Sequence, residues 1–214
     1  MSASPDLSIW EHHFEGMRLE HETLRASGQW RSGRRTLLQA LGLQGSEIPL
    51  CRALVWALTP DGWHGAGVVP LRAFLARVGV PHEELDDQTL LGAQIVREES
   101  KNNREQDATR ADIVIRLPRW SRTVVVEAKV NVVEQPRQAA RLEELWASED
   151  PLFVFLSPSG NLPSTRAAGG GSWEAITWRD VAKILRQAAQ SGAASPGYYE
   201  LIETLEIFGG HRHA

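Results

Sequence analysis

Three charged residues interrupt two runs that are otherwise apolar. In Thr123-Val124-Val125-Val126-Glu127-Ala128-Lys129-Val130 the side chains of a strand alternate, so Glu127 and Lys129 share one face and Val126, Ala128 and Val130 the other. Asp112 breaks the run Arg110-Ala111-Asp112-Ile113-Val114-Ile115 in the same way. The turn-forming Pro118-Arg119-Trp120-Ser121 between the runs predicts an antiparallel hairpin, which brings Asp112 and Glu127 close to cross-strand register. A carboxylate buried without a partner is costly, so such residues call for a counter-charge, a metal ion or exposure. Hard cations such as Mg2+ or Mn2+ take oxygen ligands, commonly one or two carboxylates plus water and a phosphate. Asp112, Glu127 and the Ala128 carbonyl suit that chemistry. Lys129 would then stand beside an attacking water or a phosphate, where it could orient the one or offset charge on the other. The same residues also fit a plainer arrangement, a surface ion pair on the wet face of a sheet worth at most about 1 kcal/mol.

Other residues are candidates around this core. Glu47 lies on the apolar face of a helix marked by Ser46 as N-cap, Pro49 in the first turn and Leu50, Leu54 and Leu58 at helical spacing. It either starts the helix, favoured by the dipole, or points into a buried polar site. Glu98 or Glu99, at the end of a first strand, adds an acid or simply meets solvent, with Glu98 ranked ahead. His64, flanked by Gly62, Gly65 and Gly67, braces a loop or is a plain turn histidine, and is not read as a ligand. Arg119, Trp120 and Arg122, with Arg116, make a basic aromatic tip that could touch a nucleic-acid backbone or stack on a base, or be a solvated turn. Arg31, Arg34 and Arg35 form a second basic cluster with the same two readings.

The elements that must position these residues follow from periodicity. Residues 1–45 read as a helical extension, with a turn near 28–33 and a short helix through Leu37, Leu38 and Leu41. After the breakers Thr59-Pro60-Asp61-Gly62, a helix shows Leu71, Phe74, Leu75 and Val78 at i, i+3, i+4 and i+7. A strand is expected over 94–99, a polar loop over 100–109, and hairpin strands over 110–117 and 123–130. Pro136 is expected in the first turn of a helix carrying Ala139, Leu142 and Trp146, and 152–156 reads as a buried strand parallel to an earlier one. A Ser, Gly and Pro loop over 158–171 precedes a strand at 173–176. Thr177 and Asp180 then open a helix with a capping-box variant, and 198–208 forms a last helix before a loose tail. The division expected is an extension over 1–45, a core over 46–190 and a C-terminal helix and tail over 191–214.

The chain has 214 residues, a formal charge of -4 and one cysteine, Cys51, so no internal disulfide is possible. No secretory signal pattern or membrane-length apolar run stands out, and the cytoplasm is the expected location. The acidic balance gives no support to nucleic-acid binding by itself. The histidines show no His-Glu-x-x-His or zinc spacing, and no Gly-rich loop ends in Lys-Ser or Lys-Thr, which disfavours zinc hydrolases and NTPases.

The order of helix with Glu47, strands with Asp112 and Glu127-Ala128-Lys129, then helix with Gln138, resembles the PD-(D/E)XK nuclease superfamily. Ser46 to Pro60, His64-Gly65-Ala66-Gly67, Leu71 to Leu75 and Gln138-Ala139-Ala140-Arg141 look like the signature of one bacterial branch. The resemblance runs from about residue 46 to 187. Cys51 stands where that branch often has His, and its usual aromatic after the Gln is missing. The resemblance implies an α/β fold with a restriction-endonuclease-like core of helix, three strands, helix and strand around a mixed sheet. It implies hydrolysis of DNA phosphodiesters with Mg2+ or Mn2+. Asp112, Glu127 and Glu47 match metal-binding acids, Lys129 the catalytic lysine and Gln138 a polar residue near the site. The kind of family suggests defence against foreign DNA, restriction or repair. A partner protein for target recognition and a homodimer are both compatible with it. The rival expectation is a module with the same fold that binds nucleic acid or protein without cutting.

Overall fold

The computed structural model describes residues 8–27, 36–102, 108–131, 134–190 and 194–208. Its elements are α1 (Ser8–Ala26), α2 (Leu37–Ala40), α3 (Glu47–Leu58), α4 (Val69–Arg77), α5 (Asp87–Leu91), β1 (Gln94–Asn102), β2 (Ala108–Arg116), β3 (Thr123–Ala128), α6 (Gln138–Trp146), β4 (Leu152–Ser157), β5 (Trp173–Thr177), α7 (Trp178–Ala189) and α8 (Pro196–Phe208). Contacts divide the chain into two units, Met1–Arg34 and Arg35–Ala214. In the first, α1 is tied along its surface by Arg18, which pairs with Glu15 at 2.7 Å and Glu22 at 2.6 Å. Arg31, Arg34 and Arg35 lie outside the described residues.

The second unit is built on one sheet in the order β1-β2-β3-β4-β5. The pairs β1–β2 and β2–β3 are antiparallel, whereas β3–β4 and β4–β5 are parallel. The mixed α/β sheet expected from the sequence is therefore present. All six residues of β3 and all six of β4 are buried, as expected for central strands covered on both faces. One face, carrying Ile113, Ile115, Val124, Val126, Val154 and Leu156, packs against apolar residues of α3, α4, α7 and α8. The other, carrying Val114, Val125, Phe153, Phe155 and Trp173, is covered by Ala139, Leu142 and Trp146 of α6. Thr177 and Asp180 form the capping box expected at the start of α7. Among the described residues no helix is long and apolar enough to cross a membrane.

Two local expectations are corrected, and one unanticipated helix is added. The polar run expected as a loop over 100–109 is partly strand: β1 continues to Asn102 and β2 starts at Ala108, paired through Ser100↔Arg110 and Lys101↔Thr109. Polar residues are accepted there because both strands overrun β3, whose ladder with β2 ends at Ile113↔Val126. Pro136 lies before α6 rather than in its first turn, since Arg137 takes a left-handed conformation at φ 58° and helical geometry starts at Gln138. The short helix α5, begun by Asp86 accepting from the Thr89 amide, went unseen because five residues are too few to show a period.

Candidate active site

Glu127 sits on β3 at a position of the same parity as Val125, on the α6 side of the sheet where Gln138 reaches it, while Asp112 on β2 lines both the cleft and a small void beside Ile48 and Cys51 of α3. Beyond Ile113↔Val126 the ladder stops, and Asp112 Oδ2 accepts the Ala128 amide at 2.7 Å in place of a main-chain partner. The carboxylate is thus pinned at the end of the β2–β3 ladder. Directly across β1, Glu98 has φ 54° and makes no ladder pair with Asp112, although Arg97↔Ile113 and Glu99↔Ala111 flank it. A non-glycine residue in this conformation is uncommon and tends to mark a functional position.

Lys129 follows directly on β3. Its amide donates to the Leu156 carbonyl of β4 at 2.8 Å, and its carbonyl accepts from the Trp178 indole at 2.9 Å. With the backbone held from both sides, its Nζ donates to Glu127 Oε1 at 2.5 Å and to the Ala128 carbonyl at 3.2 Å, and lies 3.7 Å from Glu47 Oε2. Glu47 enters from the first turn of α3, where the helix dipole favours a negative charge. Gln138, the first residue of α6, has its amide oriented by its neighbours: Oε1 accepts from the Gln135 amide at 3.1 Å, and Nε2 donates to Glu127 Oε1 at 2.5 Å.

Glu47, Asp112, Lys129 and Gln138 line an open cleft of about 870 Å³, shared with Arg110 and Arg141. Glu127 itself is only 1 % exposed. Burial pushes its carboxyl up to about 8, the Asp112 charge adding to the effect and Lys129 opposing it. Burial likewise raises Asp112 to about 6, against the Ala128 amide that favours the charged form. Lys129 is held above the usual lysine value: burial lowers it, but the facing carboxylates outweigh burial.

Among the described residues no three His, Cys, Asp or Glu side chains stand close enough together to hold an ion by themselves. The donor set nevertheless fits a hard cation. Glu127 Oε2 and Glu47 Oε2 are buried with no hydrogen-bond partner, and such orphaned carboxylate oxygens call for a positive ligand. Two carboxylates and a main-chain carbonyl are what a Mg2+ ion commonly takes from a protein, with water and phosphate completing the shell.

The other candidates do not line the cleft. Glu99 is bound by Arg116 at 2.7 Å, and Glu98 pairs with Arg110 at 3.0 Å at the rim of a small void beside Asp112. Arg119 reaches Gln88 at 3.2 Å, Arg122 pairs with Asp150 at 2.9 Å, and Trp120 packs on the core with Arg122 over its ring. None of these three lines the cleft, because the hairpin turn joins the start of β3 and Glu127 lies four residues on, about 13 Å at the rise of a strand. His64 is fully buried: Nε2–H donates to Thr59 O at 2.7 Å and Nδ1 accepts from the Ala66 amide at 3.1 Å. It braces the α3–α4 loop, and Gly62 is needed beside it, since a Cβ there would stand 2.6 Å from the imidazole. Cys51 is buried on α3, one turn after Glu47.

Two further residues at the site are not singled out by the sequence reading. Trp178 carried only the pattern of a helix start, and its hold on Lys129 depends on how α7 packs. Arg141 stood in view as part of Gln138-Ala139-Ala140-Arg141, and its i+3 spacing from Gln138 was the signal that it shares the cleft face.

In comparison with known protein families, the model of the PD-(D/E)XK nuclease superfamily aligns with residues 37–201. No curated protein and no solved structure matches the chain.

Proposed function

The chain belongs to the PD-(D/E)XK nuclease superfamily, and from that premise we propose that it is a metal-dependent nuclease that hydrolyses DNA phosphodiester bonds. The observation that carries this reading is the charge imbalance at one end of β3, where the buried Glu127 and the cleft residue Glu47 share the single ammonium of Lys129 and Asp112, also lining the open cleft, has no ion pair among the described residues. Asp112, Glu127 and the Ala128 carbonyl would hold Mg2+ or Mn2+, with Glu47 beside them. Such an ion supplies Lewis-acid charge for the phosphoryl oxygens and makes water more acidic.

The chain's own residues do the remainder. Lys129, fixed by Leu156 and Trp178, directs its Nζ at the cleft, where it can orient the attacking water or stabilise charge growing on the phosphate. Gln138 holds Glu127 Oε1, leaving Oε2 without a protein partner. The formal charge of -4 supports reliance on a partner protein for target recognition, and the kind of family supports a role in defence against foreign DNA or in repair.

Purified protein is expected to cut DNA with Mg2+ or Mn2+, and Lys129→Ala to abolish cutting while circular dichroism shows an intact fold. Equal inactivity of wild type and variant over many substrates and metals would sink the enzyme reading. A pure binding module is separated by metal titration: a ligand that binds only the folded state must raise stability, by about 2.7 kcal/mol at a hundredfold excess over its Kd, and Asp112→Asn should remove most of that gain.

A further inference from the structure

Resting on that nuclease reading, we propose that Arg141 is a substrate-binding residue that takes a phosphodiester oxygen of the nucleic-acid backbone on the α6 wall of the cleft. Arg141 follows Gln138 by three residues on α6, so both face the same way, and both line the cleft that holds Asp112 and Lys129. Its Nε is buried and has no hydrogen-bond partner. A guanidinium nitrogen removed from water without an acceptor is costly, so the site is built for an acceptor that the protein does not supply.

The surrounding charges show why the acceptor must come from outside. On α6 and the loops beside it the acids are committed elsewhere: Glu134 to Ser164 and Thr165, Glu143 to the Trp173 indole at 2.6 Å, and Glu144 to Arg137 at 2.9 Å. Glu47 and Glu127 face Lys129, and Asp112 faces the Ala128 amide. Neighbouring arginines are matched in turn, Arg110 with Glu98 and Arg116 with Glu99 and Glu149. Arg141 has no ion pair among the described residues. A planar fork of donors in the same cleft as Lys129 suits a phosphate, which can take two of its N–H groups at once, and a phosphodiester is the anion that the nuclease reading brings there.

The test uses the full chain loaded with Ca2+ and a fluorescein-labelled DNA duplex, with affinity measured by anisotropy over a range of salt. Arg141→Gln should weaken binding about tenfold and make the slope of log K against log salt shallower by about 0.9, one phosphate contact. Arg141→Lys should keep the slope and lose part of the affinity. Arg137→Gln, an equal change in net charge at an exposed ion pair, should move neither. Stabilisation by Mn2+ should survive in Arg141→Gln, and inorganic phosphate should compete only at concentrations far above those of DNA. An unchanged slope, lost Mn2+ stabilisation, or phosphate competing as well as DNA overturns the assignment while leaving the nuclease reading standing. A wild type that neither binds nor cuts DNA removes both.

Discussion

Two charged clusters lie on the same face of the sheet, at opposite ends of β3, and they are balanced differently. Near Thr123, Arg116 binds Glu99 at 2.7 Å and Glu149 at 2.9 Å, while Lys101 also pairs with Glu149 and Thr123 donates to it at 2.8 Å. Two acids there meet two cations, and the hydrogen bonds from Arg116, Lys101 and Thr123 hold Glu149 down to about 2. Near Glu127 the ion pairs are incomplete among the described residues: Glu47 and Glu127 share Lys129, Asp112 has no ion pair, Arg141 on the cleft wall pairs with none of them, and burial drives Glu127 and Asp112 upward. The first cluster is complete without a ligand. The second keeps an excess of buried negative charge unless protons or an added cation offset it, and the proposed metal site rests on that difference from a cluster that fastens a helix to a sheet.

Substitutions can break this contrast. The largest effect is expected on cutting: Glu127→Gln should slow it about 10³-fold, roughly 4 kcal/mol of barrier, while Glu149→Gln leaves initial rates within about twofold. Equal losses at the two positions would mean the clusters do not differ in role. Next, Arg116→Met should lower unfolding stability in urea by about 2 kcal/mol, below the usual penalty for splitting a buried pair because Glu99 and Glu149 are 20–24 % exposed.

A smaller effect separates the clusters by pH in metal-free protein. Because the Glu127 value is raised on folding, its contribution is fully present below the unfolded value of about 4.5 and is lost as pH rises through about 8. Glu149 runs the other way: its contribution is present above about 4.5 and is lost as pH falls through about 2. Glu127→Gln should therefore match wild type in Tm near pH 4 and exceed it above pH 8 by at least the 2–4 °C that about 1 kcal/mol gives a domain of this size. A variant less stable than wild type at high pH would show that Lys129 satisfies Glu127 without help. The smallest effect is expected at the hairpin turn, where Arg119→Gln should change DNA affinity by less than about twofold in the same anisotropy assay, since Arg119 binds Gln88 away from the cleft.

The strands and their order were legible because apolar alternation and continuous Val and Ile runs report burial directly, and the capping box at Thr177 was legible because its two side chains are three residues apart. The arm formed by Ser100 to Asn102 and Ala108 to Arg110 was not, since its polar residues pair through main-chain bonds that leave no mark on composition. Of the candidate residues, Asp112, Glu127 and Lys129 stood out as charges inside apolar strands, and Glu47 as an acid on an apolar helix face. What placed them together was the end of the β2–β3 ladder, the meeting of α3 with β1 and β2, and the entry of Gln138 from α6. The hold of Trp178 on Lys129 and the missing partner of Arg141 were decided by the tertiary structure alone. Periodicity tells which face of an element is buried, but whether a buried charge finds a partner depends on groups distant in the chain, and only packing brings those together.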